Sequence, residues 1–133
     1  MIDASVLGAA FFQEEESEVA RRFLAVDRHL AAPDLLFVEM AGLAAKKVRR
    51  KVATAEVGRR ALTAIGEFVV DVRPASGLAG RAFELAAEHG VSAYDGLYLA
   101  LAVALRVRVV TLDGKLVRSA EAAGLGRLVS TPV

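Results

Sequence analysis

The sequence contains no cysteine, which excludes disulfides, zinc–thiolate centres and cysteine nucleophiles. That absence suits a reducing compartment, and a cytoplasmic location is the expectation. No segment reaches the ~18 apolar residues needed to span a bilayer. The longest run, Gly96 to Leu105, is followed by Arg106 and Arg108, so no membrane association is expected. The amino terminus lacks the basic region and cleavage-site pattern of a signal peptide. A marked charge excess is missing too. With a formal net charge of +1, attraction to nucleic acid must come from local patches. Asp3-Ala4-Ser5 has no second aspartate two positions on, as a phosphoaspartate phosphatase would show. There is no glycine-rich phosphate loop and no Gly-x-Ser-x-Gly elbow. Carboxylates working with a hard divalent cation are the catalytic kit that remains.

What is present is apolar. Of the 133 residues, 55% are hydrophobic, enough for a single globular domain over residues 1–133. Ile2 begins a very short strand that stops at Asp3. Ser5 to Phe12 reads as a helix, and Ser17 is placed to cap a second with the stripe Val19, Phe23, Val26 and Leu30. Ala31 to Asp34 reads as a break, with Asp34 capping a helix that buries Val38, Leu43 and Val48. Thr54 caps a helix to about Ile65, and Phe68 to Val72 is a strand with Asp71 at the surface beside Arg73. Gly77 to His89 is helical and closes at Gly90. Ser92 opens a helix over Ala93 to Leu105 that is apolar almost all round. Val107 to Leu112 is a strand, Lys115 to Ala123 a helix, and Leu128-Val129 a last edge strand. The expected class is α/β: a short, mostly parallel sheet of four to five strands flanked by about seven helices.

Four acidic residues stand where apolar runs end: Asp3, Glu39, Asp95 and Asp113. Asp3 and Asp113 fall just past strands, and Glu39 and Asp95 lie in first turns of helices that can begin at the same rim. Ligands of parallel sheets bind at that rim. Two carboxylates about 4 Å apart repel by roughly 4 kcal/mol at a surface-like dielectric, so a cluster of them calls for a cation. Each residue also has a purely structural reading. Asp3 and Asp113 can be helix caps, Asp95 can belong to a capping box with Ser92, and Glu39 can be a first-turn residue favoured by the helix dipole. His29 and His89 sit near helix ends without a partner at metal-ligand spacing and read as structural. The tract Lys46, Lys47, Arg49, Arg50 and Lys51, with Arg59 and Arg60, is either a solvated helix face or an arm that holds an RNA backbone.

Several stretches together resemble the PIN-domain family, and specifically its VapC-type toxins of type II toxin–antitoxin pairs. They are Asp3-Ala4-Ser5-Val6, Ala32-Pro33-Asp34-Leu35 with Val38-Glu39, Val91 to Ala102 including Tyr94-Asp95, and Val110-Thr111-Leu112-Asp113. The resemblance implies a Mg²⁺- or Mn²⁺-dependent endoribonuclease, a homodimer, and a cognate antitoxin that masks the site. Under it, Asp3, Glu39, Asp95 and Asp113 are the family's acidic residues, with Thr111 and Ser5 as polar neighbours of the site. Asp3, Asp95 and Asp113 are then expected to hold a metal directly or through water, with Glu39 completing the site or orienting the attacking water. Two departures stand out. Only Met1 and Ile2 precede Asp3, so either the first strand is unusually short or the start codon lies upstream. Gly114 occupies a place where a longer basic residue is common. Two other readings remain: a catalytically weak PIN-like module that binds RNA or protein, and a nuclease acting on DNA.

Overall fold

The computed structural model describes residues 1–26 and 29–133. Its elements follow in the order α1 (Ala4–Phe11), α2 (Ser17–Ala25), β1 (Leu30–Pro33), α3 (Leu35–Arg49), α4 (Ala55–Phe68), β2 (Val69–Arg73), α5 (Ala79–His89), α6 (Ala93–Leu105), β3 (Val109–Val110), α7 (Gly114–Ala122) and β4 (Val129–Ser130). β1 pairs with β2 and β3 with β4, both in parallel. The first residues join the two pairs. Ile2 bridges Val110 in parallel, and its N–H donates to the Ala31 carbonyl at 3.2 Å. The spatial order is therefore β2, β1, Ile2, β3, β4, with the chain's first segment in the middle. The expected parallel α/β sheet forms, with seven α-helices among the described residues.

That order fixes where a ligand can bind. From Ile2 the chain builds outward on one side through β1 and β2, then returns to the other side with β3 and β4. The carboxyl ends of Ile2 and β3 thus flank the switch point of the sheet, where the crossovers leave in opposite directions. Asp3 follows Ile2 there directly. α3 starts from the end of β1, and α6 runs down to β3, so its amino end lies at the same rim.

Local chemistry explains most boundaries. Thr54 Oγ1 accepts the Val57 N–H, and Ser92 Oγ accepts the Asp95 N–H, both as expected of caps. Other expectations need correcting. Ala31 to Pro33 form a buried strand rather than a break. Alanine is a poor strand former, but these small side chains sit at the centre of a packed sheet, and Pro33 ends the strand, where its missing donor matters least. α2 stops at Ala25, leaving Val26 exposed and Leu30 in β1, while Asp27 and Arg28 lie outside the described residues. In α3 the inward face is Leu36, Met40 and Ala44, whereas Val38 is 68% exposed. Ser17 does not cap its own helix; its Oγ donates to the Phe12 carbonyl and accepts from the Glu14 N–H. Asp34 does stand at the amino-terminal cap of α3, but its side chain makes no capping bond there and instead accepts the Ala75 N–H at 3.0 Å, tying β1's exit to the turn before α5. β3 is only two residues long. Among the described residues, no helix is long and apolar enough to cross a membrane.

Gly96 sets the position of Asp95. A Cβ at this residue would lie 2.9 Å from the Ala82 carbonyl oxygen, so the first turn of α6 packs on the backbone of α5. Backbone cannot swing aside as a side-chain tip can. Gly96→Ala is expected to destabilise the fold by about 1–3 kcal/mol through this overpacking. Urea unfolding measures it, and a stability within about 0.5 kcal/mol of wild type would show that the two helices are not held this closely.

Candidate active site

Asp3 is the most enclosed carboxylate among the described residues, 5% exposed, and three donors reach it. Its Oδ1 accepts the Ser5 N–H at 3.1 Å and the Ser5 hydroxyl at 2.5 Å, while Oδ2 accepts the Thr111 hydroxyl at 2.5 Å. Ser5 Oγ in turn accepts the Leu112 N–H at 2.8 Å, and Thr111 Oγ1 accepts the Asp113 N–H at 2.9 Å. These bonds fasten the first segment, the start of α1 and the exit of β3 into one unit. Asp3 does cap α1, as a structural reading expects, and Asp113 caps α7 by accepting the Lys115 N–H at 2.8 Å. Capping and clustering therefore coexist at this rim.

The other carboxylates gather around Asp3 electrostatically. Burial pushes Asp3 up to about 6 despite its donors, with the Asp113 charge adding to the rise. Glu39, on the first turns of α3, is pushed up to about 7, first by burial and then by Asp3, Asp95 and Asp113. Among the described residues, its Oε1 is buried without a partner of hydrogen-bonding geometry, and so is the Tyr98 hydroxyl. The two groups still sense each other: the hydroxyl favours the ionised carboxylate, although the pair misses hydrogen-bond geometry. Tyr98 itself is driven upward by burial and by the Glu39 and Asp3 charges. Asp95 is raised by burial and by Asp113, against the Ser92 hydroxyl and Lys115. All four residues thus share one field. Even so, among the described residues no three acidic or histidine side chains converge tightly enough to hold one ion by themselves.

The donor set nonetheless suits a hard cation. It consists of carboxylate and hydroxyl oxygens alone, one carboxylate oxygen is orphaned, and burial and like charge work against ionisation of three of the four acids. Mg²⁺ keeps several waters and takes only one or two carboxylates directly, so a loose ring of acids is compatible with it.

The basic tract lies elsewhere. Lys46, Lys47 and Arg49 occupy the last turn of α3, Arg50 caps it and Lys51 is left-handed at φ 58°. At 1.5 Å per residue the tract begins roughly 10 Å along the helix from Glu39. Lys47 is engaged by Glu14 at 2.8 Å, and Arg60 by Glu56 at 2.7 Å. α3 and α4 form a hairpin, with Gly58 against Ala44 and Val48. His29 precedes β1 at the end of the sheet away from the rim, and His89 meets its neighbour Glu88 at 3.6 Å. Tyr98 is the residue that sequence reasoning passed over. Its spacing of three from Asp95 on α6 puts both on one helix face, which was the available signal.

A stability consequence follows for the metal-free protein. Unfolded, Asp3 and Glu39 titrate near 3.8 and 4.5; folded, they hold their protons to about 6 and 7. Such groups stabilise the fold fully below their unfolded values, and this is lost as the pH rises through the folded ones. In EDTA, stability is expected to fall between about pH 3.8 and 7, with Asp3 contributing on the order of 3 kcal/mol and the half-buried Glu39 less, because solvent screens it. Chemical denaturation across pH measures this. Glu39→Gln should flatten the upper part of the fall, and stability rising through the window would contradict the burial of these charges.

The sequence model of the PIN domain matches residues 1–122. Ribonuclease VapC3 of Pyrobaculum aerophilum is 33% identical over 118 residues, which are 87% of this chain and 90% of that protein. A VapC ribonuclease of Mycobacterium bovis and Ribonuclease VapC9 of Mycobacterium tuberculosis are each 36% identical over 116 residues, 87% of both chains. The matched stretch includes the buried aspartate at the switch point of a short parallel sheet, and the chain belongs to the PIN-domain family, among its VapC-type members.

Proposed function

We propose that this protein is a Mg²⁺- or Mn²⁺-dependent endoribonuclease, acting in the cytoplasm as the toxin of a toxin–antitoxin pair. The observation that carries the proposal is the enclosed Asp3 with Glu39, Asp95 and Asp113 in its field, at the rim where parallel sheets bind ligands. The relatives are named ribonucleases, which directs the chemistry toward RNA.

Asp3, Asp95 and Asp113 would hold the ion, directly or through water. Bound there, it would acidify a water and offset charge on the scissile phosphate. The protein's own groups divide the remaining work. Ser5 and Thr111 keep Asp3 from rotating, since both of its oxygens are engaged. Glu39, with its pKa near neutrality and a free buried oxygen, is suited to accept a proton from the attacking water or to orient it. Ser92 and Gly96 fix the turn that carries Asp95. The tract Lys46 to Lys51 would attract the RNA backbone at longer range, as a diffuse charge rather than a site contact.

For partners we infer a homodimer and a cognate antitoxin that covers the rim. An apolar cleft of about 510 Å³ lies between α5 and α6, bordered by Phe83 and Tyr94, which are 71% and 67% exposed. Such a surface supports contact with protein. The same cleft favours the second reading, a PIN-like binding module that cleaves little.

Hydrolysis by water, with the 3′ oxygen leaving, gives a 5′-phosphate and a 3′-hydroxyl. Asp95→Asn is expected to lower cleavage by at least about 100-fold while leaving the unfolding midpoint within a few degrees of wild type. End-mapping on total cellular RNA with Mg²⁺ or Mn²⁺ tests both points. A 2′,3′-cyclic phosphate, or cleavage retained by the variant, would refute the mechanism, and metal-independent binding without cleavage would favour the binding module.

A further inference from the structure

The rim also carries two cations that the acidic residues leave without a task. Lys115 and Arg118 stand on the first turns of α7, and both are exposed. Lys115 is close enough to Asp95 to favour that carboxylate's ionised form. Arg118 folds back toward the start of its helix. A Cβ built on Gly114 would lie only 3.0 Å from Arg118 Nη1. Gly114 directly follows Asp113, so the guanidinium fills the space where residue 114 would carry a side chain, beside the last acid of the set. A cation near a helix amino terminus opposes the helix dipole. Among the described residues, Arg118 has no ion pair to offset this. Its planar fork of N–H donors is open to solvent.

We infer that Arg118 is a substrate ligand, gripping a backbone phosphate of RNA from the space that Gly114 leaves empty, with Lys115 adding charge beside it. This rests on the ribonuclease reading above. An RNA strand reaching this rim must come close to four carboxylates, and the repulsion falls on its phosphates. A cation held at the edge of the cluster counters part of that repulsion. A guanidinium is suited to the task because it meets two phosphate oxygens at once and stays charged at any working pH. The basic tract on α3 does not serve here, since it begins roughly 10 Å along its helix from Glu39. Gly114 and Arg118 therefore act as a pair, the glycine supplying the space and the arginine the charge.

The pair makes a closed test with the full chain. The substrate is a single-stranded RNA bearing a cut site mapped from total cellular RNA. Arg118→Gln should raise KM about tenfold with little change in kcat, and lower the salt slope of RNA binding by about 0.7. Gly114→Leu keeps the arginine but fills its space, and should give the same loss. The residue lacks a positive φ and is exposed, so the fold accepts the side chain; circular dichroism and the unfolding midpoint check this. The double variant should be no worse than either single one, because both remove the same contact. The inference is overturned if Arg118→Gln keeps the wild-type KM and salt slope while wild type cleaves normally. It is overturned equally by losses that add in the double variant, or by a fall in kcat alone. If wild type cleaves no RNA with either metal, the ribonuclease reading fails first and takes this inference with it.

Discussion

The structure turns on a single buried carboxylate. Asp3 is enclosed at the end of a two-residue segment that holds the two strand pairs together, and leaving it unpaired there would be costly. Three hydrogen bonds from Ser5 and Thr111 make the position tenable. Those bonds also do structural work, because Ser5 and Thr111 are bonded onward to Leu112 and Asp113. The geometry that accommodates one acid thereby sets the place of another. Burial still wins over the hydrogen bonds, as the upward displacement of Asp3 shows. The centre of the fold is thus stable in part at the expense of an easily ionised carboxylate.

This gives the rim a consistent electrostatic character. Asp3, Glu39 and Asp95 are all raised mainly by burial, with neighbouring acids adding to the effect. The orphaned Glu39 oxygen and Tyr98 hydroxyl are the sharpest expression of it, since buried polar atoms rarely go unpaired. A site tuned in this way binds positive charge more readily than it keeps its protons off. That character is what the proposed metal dependence would draw on.

Much of this was legible in the sequence, for identifiable reasons. Ser92, Thr54 and Asp113 announced their helices because capping is local chemistry, written within three residues. The grouping of the acids was readable from the ends of apolar runs, because the carboxyl ends of parallel strands share one rim. β1 was not readable, since Ala31 and Ala32 are strand residues by virtue of their place in the sheet and not by propensity. The inward face of α3 was misjudged for a related reason. Val38 is the more apolar choice, but the approach of α3 to the core selects Leu36, Met40 and Ala44. Tyr98 and Arg118 depend on what stands opposite them in space, a buried acid in one case and an absent side chain in the other. The relation of Tyr98 to Glu39 is not local in sequence, whereas Arg118 and Gly114 are four residues apart on α7 and their approach is visible only as a distance.

The most direct test is proton release on metal binding. If the acids at this rim hold protons near neutrality and give them up to a cation, titrating the apo protein with Mg²⁺ or Mn²⁺ near pH 6.5 should release protons. Calorimetry in buffers of different ionisation enthalpy measures the number, which should fall toward zero above about pH 8 and shrink in Glu39→Gln. Metal binding with no proton release at pH 6.5, or release unchanged in Glu39→Gln and across this pH range, would contradict the account that buried, mutually repelling carboxylates define the site.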